Sequence, residues 1–379
     1  MTITLLHQGF DGLDFSVRTN MEIAYAKRFE MAREHAAIKR EPQLIVIKDI
    51  AMHVSDHGAR GGYKYVCDTG PLGASWFFKS PTTKDPWGVR VSLKSLTLAL
   101  IGLENGVQEI FRVLQVLCDD VDNAKVSLGR IDYALDFLIP NFDLNPEQFV
   151  MHSRLTRSDD REASEVGRSG RVYSVRIGKM PGQQVAVYDK RADVLAKSKK
   201  VWWEIWNANL LALSMPPISP SNTKNSLWRV EFRAGKNFLK KQKSVTTIEE
   251  FLSVGGTLYS EMAEGIRYVS PGDDSNRARW PEHPLWFEVQ SRLATGLPEM
   301  TDALPVSRVR EIARADLIDL LDKQILGCEA TLIAARDLDD LEFCDIMRFV
   351  SENRQKIISD DPNRFLQKIY QAKERYHFI

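Results

Sequence analysis

The chain has 379 residues, 44% of them hydrophobic and 27% charged, which excludes a disordered protein and allows a sizeable buried core. Its 51 Lys and Arg balance 51 Asp and Glu, which excludes a surface coated throughout in positive charge. No apolar run reaches the ~18 residues of a membrane span. The start "MTITLLHQGFDGLDF" lacks the basic and apolar signature of a secretory leader, so a cytoplasmic protein is expected.

In chain order, residues 11–17 read as a short strand. "NMEIAYAKRFEMAREHAAIKR" reads as a helix with Asn20 at its N-cap. "QLIVIKDI", "GGYKYVC", "GASWFFK" and "GVRVSL" read as strands between Gly, Pro and Asp turns. "SLTLALIGLENGVQEIFRVLQVL" has helical spacing. "GRIDYALDFLI" is a strand and "NPEQFVMHSRL" a short helix, followed by the strands "GRVYSVRIG", "QQVAVYDK" and "LWRVEFRA". A helix and then a Pro/Ser/Asn loop lie between the last two of these strands, at about 197–226. Thr246 with Glu249 forms a capping-box signature, and Asp361-Pro362 starts the last helix. The reading is α+β: a central, largely antiparallel sheet with helices on one face and a polar catalytic face, plus an all-helical C-terminal region. Residues 1–265 form the α+β unit, 266–305 a linker with a short helix, and 306–379 the helical region.

Charge is uneven along the chain. From Arg154 to Lys243 there are 19 Lys and Arg against 8 Asp and Glu, a surplus that fits an anionic partner held at one place. Side chains alternate along a strand. In 130–137 this sets Ile131, Tyr133, Leu135 and Phe137 against Arg130, Asp132, Ala134 and Asp136. In 228–233 it sets Trp228, Val230 and Phe232 against Arg229, Glu231 and Arg233. In 184–190 it sets Val185 and Val187 against Gln184, Ala186, Tyr188 and Lys190. If the three strands are neighbours, the polar sides form one surface. Carboxylates gathered there would favour a hard cation such as Mg2+ or Mn2+. A wet sheet face laced with cross-strand ion pairs accounts for the same charges.

"RIDYALDF", "RVYSVRIG", "VAVYDK" and "WRVEFRAG", in that order, resemble the rolling-circle replication initiators and relaxases of the Rep-trans type. "GFDGLDFSV" and "GGYKYVCDTG" resemble the opening strands of that family, so the resemblance covers roughly residues 8–240. It implies site-specific nicking of one strand at a plasmid or phage origin, single-stranded or in a hairpin. Tyr188 would be the nucleophile, joined to the 5′ phosphate while the 3′-OH primes synthesis. Asp132, Asp136 and Glu231 would be the metal ligands. Lys190 and Arg229 suit phosphate oxygens by their place in the sequence. Arg176 and the basic tract with Lys236, Lys240, Lys241 and Lys243 would track the DNA backbone. A host helicase, a homodimer and a bacterial cytoplasmic setting also follow from the resemblance. An inactive DNA-binding regulator of a mobile element is the competing reading.

This chain departs from the pattern in three ways. "KRAD" supplies only Asp193 as the acid after the motif lysine, the 197–226 insertion is long, and net charge is zero. Trp202, Trp203 and Trp206 in the insertion either pack a helix or stack on unpaired bases. No His-hydrophobic-His motif occurs, and His53 and His57 read as loop residues. "GARGG" and "GKMPGQQ" lack the spacing of a P-loop. Cys67, Cys118, Cys328 and Cys344 form no C-x-x-C pair.

Overall fold

A computed structural model describes residues 2–151, 161–166, 170–222, 226–301, 303–338 and 342–379. The first half of the chain runs β1 (Thr4–Val17), α1 (Ile23–Lys39), β2 (Gln43–Ile47), β3 (Ile50–Val54), β4 (Tyr65–Asp68), β5 (Ala74–Phe78), β6 (Val89–Leu93), α2 (Ser95–Leu117) and β7 (Val126–Leu138). Then come β8 (Phe149–Met151), β9 (Arg161–Val166), β10 (Arg171–Gly178), β11 (Gln183–Asp189), α3 (Lys190–Ala196), α4 (Val201–Ala212) and β12 (Leu227–Gly235). The remainder is α5 (Ile248–Gly265), β13 (Ile266–Tyr268), α6 (Pro284–Ala294), α7 (Val306–Ala334), α8 (Phe343–Asp360) and α9 (Pro362–Arg375).

Eleven strands form one antiparallel sheet in the order β2-β3-β4-β5-β6-β1-β7-β12-β11-β10-β9, while β8 pairs with β13. The long strands β1 and β7 lie side by side at its middle. Each opens a similar excursion: β1 leads out and returns through β6, and β7 leads out and returns through β12. The apolar sides of the central strands meet α5 and α6, where Tyr133 stacks on Tyr259 and Phe232 lies against Trp286. Burial of these large rings is the main stabilising contribution on this face. Trp286 and Val289 of α6 are fully buried there, so the span read as a linker supplies part of the core.

A second apolar cluster covers one end of the polar face. It joins Leu6, the α4 tryptophans, Val194, Leu227, and Val309 and Ile312 of α7. Trp202, Trp203 and Trp206 are buried in it, which is the packing alternative for the insertion.

Several sequence boundaries move. β1 starts at Thr4 and pairs with β7 from there; two bulges and Gly9 break the alternation that would have marked it. β2 and β3 form a hairpin at Lys48-Asp49, with Lys48 at φ 52 in place of a glycine, so β3 carried no glycine signal and was not read as a strand. The α1 cap is Glu22, because Met21 is already bridged to Cys118. The capping box is Thr247 with Glu250, one residue later than read. "NPEQ" is one tight turn capped by Asn145 and leads into β8; residues 152–160 lie outside the described residues. The α9 start is capped by Asp361 with Pro362 in the first turn. No helix among the described residues is long and apolar enough to cross a membrane.

Candidate active site

Register brings the three motif strands together. β12 sets Arg229 opposite Asp136, Glu231 opposite Ala134 and Arg233 opposite Asp132 of β7. β11 sets Tyr188 opposite Arg229 and Ala186 opposite Glu231. β1 adds His7 opposite Asp136 and Gly12 opposite Asp132. A bulge between Phe10 and Gly12 leaves Asp11 as the extra residue. Bulges re-aim side chains, and here Asp11 accepts from Arg229 Nη1 at 2.5 Å and from Ser95 Oγ at 2.5 Å.

Arg229 is the centre of a buried ion cluster. It has no solvent exposure. Its Nε and Nη2 donate to Asp136 at 2.5 and 2.8 Å. Trp206 Nε1 donates to the same carboxylate at 2.9 Å, and the Trp202 ring lies 4.6 Å from the guanidinium. Burial works to raise the Asp136 and Asp11 pKa values, but Arg229 and Lys190 together with the local hydrogen bonds outweigh it and hold both below the ordinary carboxylate range. His7 is buried beside them, with burial pushing its pKa down to about 4; its Nδ1 has no hydrogen-bond partner.

Tyr188 sits at the end of β11, just before Asp189, which caps α3 by accepting from the Ala192 amide at 2.9 Å. The Tyr188 hydroxyl donates to Glu231 Oε2 at 3.2 Å. Glu231 in turn holds Arg233 through two bonds of 2.7 and 2.9 Å. Tyr188 is half-buried and lines a cleft of about 370 Å3 together with Tyr173, Ser174, Arg176, Asp193, Lys197 and Arg233. Burial first, with Glu231 adding and Arg229 opposing, pushes the Tyr188 pKa well above 10, so the resting side chain is a neutral phenol.

Lys190 and Arg229, expected on phosphate, are both buried. Lys190 reaches Asp193 at 3.3 Å and lies 4.9 Å from the Trp202 ring. Burial first, then Arg229, lowers its pKa. The cations on the cleft wall are Arg176, Arg233 and Lys197. Lys236, Lys240, Lys241 and Lys243 lie beyond the other end of β12, starting seven residues past Arg229, roughly 23 Å away at ~3.3 Å per residue. Lys240 bonds Ser127 and Lys243 pairs with Glu261.

All six oxygens of the expected metal ligands are engaged. Asp132 is held by Arg130, Asp136 by Arg229 and Trp206, and Glu231 by Arg233 and Tyr188. Among the described residues no group of three or more His, Cys, Asp or Glu is arranged to hold a metal. The residues therefore do not fit a divalent ion in this arrangement: each carboxylate already has a guanidinium as its counter-charge.

Asp132 differs from Asp136 in its balance. Burial, opposed by Arg130 and reinforced by Glu231, pushes its pKa up to about 7. A carboxyl raised on folding binds its proton more tightly in the native state, so it lowers stability as pH rises from about 4 to its folded value. Urea unfolding of Asp132→Asn is expected to show a flatter stability profile between pH 4 and 7. The slope removed is about 1.4 kcal/mol per pH unit, which accumulates to about 1.4 kcal/mol for each unit by which the pKa is raised. An unchanged profile would mean that Arg130 keeps Asp132 ionised throughout.

Gly12 makes room for this carboxyl. A Cβ there would lie 2.9 Å from Asp132 Oδ2. Gly12→Ala is expected to cost about 1–3 kcal/mol in urea unfolding, the range for overpacking a filled site.

Sequence reasoning left out Asp11, His7, Ser95 and Arg130 as site residues. Arg233 and Arg130 were visible by alternation on the polar faces of their strands. Asp11 was not, because a bulge breaks the count.

No family model matches the chain, and no curated protein matches it. Among solved structures it is similar to the rolling circle replication initiator protein from Geobacillus stearothermophilus, with 13% identity over 78% of this chain and 97% of that one, at a TM-score of 0.39.

Proposed function

We propose that the chain initiates DNA replication by nicking one strand of an origin, with Tyr188 as the nucleophile. The observation that carries this reading is the placement of Tyr188. Its hydroxyl is hydrogen-bonded to Glu231 at 3.2 Å at a cleft whose wall carries Arg176, Arg233 and Lys197. The ordered motifs around "VAVYDK" point the same way.

In this reading Arg233 and Arg176 receive the non-bridging oxygens of one phosphodiester. Tyr188 Oη attacks phosphorus, and the bond to the 3′ oxygen breaks. The phenol proton moves to Glu231, and the 3′ oxygen leaves as a hydroxyl after taking a proton from it or from water. One phosphodiester is exchanged for a 5′-phosphotyrosine, so the bond energy is kept for rejoining. A neutral phenol needs this proton acceptor, because burial keeps its pKa far above neutrality. Arg229 fixes the strand register beneath Tyr188 and contributes positive potential without touching the cleft. No step is assigned to a metal.

The test is incubation with supercoiled plasmid carrying the cognate origin, with Mg2+, with Mn2+ and with chelator. Open circles bearing covalently attached protein support the reading. A second reading, a DNA-binding regulator without nicking chemistry, is favoured by the pairing of every candidate carboxylate with an arginine. It predicts origin binding with no adduct under any of the three conditions.

A further inference from the structure

The polar face of the sheet continues well past the Tyr188 cleft. Ser127 lies nine residues down β7 from Asp136, about 30 Å away at ~3.3 Å per residue. A bulge at Gly129, between the Asp14–Arg130 and Phe15–Leu128 pairs, shifts the alternation. Ser127 therefore lies on the same face as the acids, opposite buried Leu128 and Phe15. There Ser127 pairs with Ser16, Ser16 with Arg90, and Arg90 with Phe77. One row thus crosses β7, β1, β6 and β5. The turn after β12 reaches this row, since Lys240 bonds the Ser127 hydroxyl. Lys236 is close enough to add to burial in lowering the Lys240 pKa.

Arg90 is held rather than free to wander. Its guanidinium lies 3.9 Å from the Phe77 ring centroid and 5.1 Å from that of Tyr63. Lys79 lies 4.6 Å from the same Tyr63 ring. Tyr63 is buried and Phe77 half-buried, so these rings offer no open face for an unpaired base. Their effect is to fix a planar fork of donors. Charge here is only partly compensated: Asp85 pairs with Lys79 and lies within electrostatic reach of Lys236. Arg130, Arg229 and Arg233 each sit on a carboxylate. Among the described residues, Arg90, Lys236 and Lys241 form no ion pair.

We propose that this end of the sheet binds the sugar–phosphate backbone of duplex DNA, with Arg90 and the Ser127-bonded Lys240 as the fixed contacts and the exposed Lys236 and Lys241 as the mobile ones. Sequence-blind cations that are not bonded to a carboxylate suit phosphates, and buried rings disfavour single-strand stacking. The 30 Å between this row and Tyr188 corresponds to about nine base pairs at ~3.4 Å each. Duplex would lie here while the strand to be cut enters the cleft. The inference rests on the proposed function only in taking DNA as the polyanion, and it does not require nicking.

The test is fluorescence anisotropy of the full chain with a labelled duplex of about 20 base pairs and arbitrary sequence, over a range of salt. The exposed pair Lys236→Glu/Lys241→Glu is expected to weaken binding about tenfold or more and to reduce the salt slope by about 2. Arg90→Gln is expected to reduce it by about 1, with thermal melting by circular dichroism to check its fold; should it melt early, the lysine pair decides. Unchanged affinity and slope in the lysine pair would overturn the proposal. Tyr188→Phe is measured alongside and is expected to bind this duplex as the wild type does. A failure of nicking is therefore read separately from a failure of the platform.

Discussion

Tyr188→Phe is expected to abolish the covalent protein–DNA adduct and the open-circle product while leaving origin affinity within about twofold. The change removes one oxygen from a half-buried ring. Its single described hydrogen bond goes to Glu231, which keeps both bonds to Arg233. Stability should therefore change by no more than the ~1 kcal/mol of one hydrogen bond. Tyr173 and Ser174 line the same cleft, but only Tyr188 bonds the proton acceptor Glu231, so the adduct should fall to background on a denaturing gel. An adduct of wild-type intensity in Tyr188→Phe would move the nucleophile elsewhere and end this assignment. Glu231→Gln separates the proton acceptor from the nucleophile: it should slow the adduct without removing it, and the difference from the wild type should shrink in acid, where the wild-type carboxylate is itself protonated.

The largest stability effect is expected at Arg229. Arg229→Met keeps much of the volume but removes the only cation bonded to the buried Asp11 and Asp136 among the described residues, leaving Lys190 as a more distant counter-charge. Removing one partner of a buried ion cluster costs about 3–5 kcal/mol. The pH dependence identifies the cause. In the wild type both aspartates have folded pKa values below the ordinary one. Their contribution is present above about pH 4, the unfolded value, and is lost as pH falls through the folded one. Without Arg229 burial is opposed chiefly by Lys190 and raises both pKa values relative to the wild type, so the variant is relieved by acid. Urea unfolding at pH 7 and at pH 4 should show the gap between the two proteins narrowing on acidification. A loss under about 1 kcal/mol at pH 7 would mean that the aspartates find other partners, and Lys190 would be the first to inspect.

Period-two reading placed Asp132, Asp136, Arg229, Glu231 and Tyr188 on the correct sides of their strands, because each strand has one continuous apolar side. It also gave the α+β class and most element positions. What it could not reach were facts set by distant residues. Asp11 joins the cluster only because β1 bulges against β7, and a bulge has no signature when the neighbours are Gly, Asp and Phe. The insertion read as a helix from its own spacing. Its seat over His7 and Asp136 depends on Trp202 and Trp206 meeting residues some 70 to 200 positions away. Alternation shows which charges share a face and not which of them neutralise each other, so it left a metal site and cross-strand ion pairs both open; the structure pairs each candidate carboxylate with an arginine. The capping box slipped by one because both Thr246-Glu249 and Thr247-Glu250 satisfy the spacing. Lys236 to Lys243 were read as a tract that tracks the DNA backbone, and their distance from Tyr188 could not be read from sequence because it is β12 that carries them away from Arg229.

The position of Tyr188 within β11 has a mechanical meaning as well. A DNA strand joined to its oxygen would hang any tension from a moving duplex on that one strand. β11 is not at the margin of the sheet: β10 and β12 pair with it on both sides, and Ser174 and Arg229 flank Tyr188 itself. A pull along β11 is therefore shared by two ladders loaded in parallel, which must slip together rather than open one bond at a time. Directly after Tyr188 the chain turns into the capped start of α3, which anchors the loaded end. In the proposed reaction such an attachment point would act as a cleat, able to hold a strand under load while the cut remains open to be resealed.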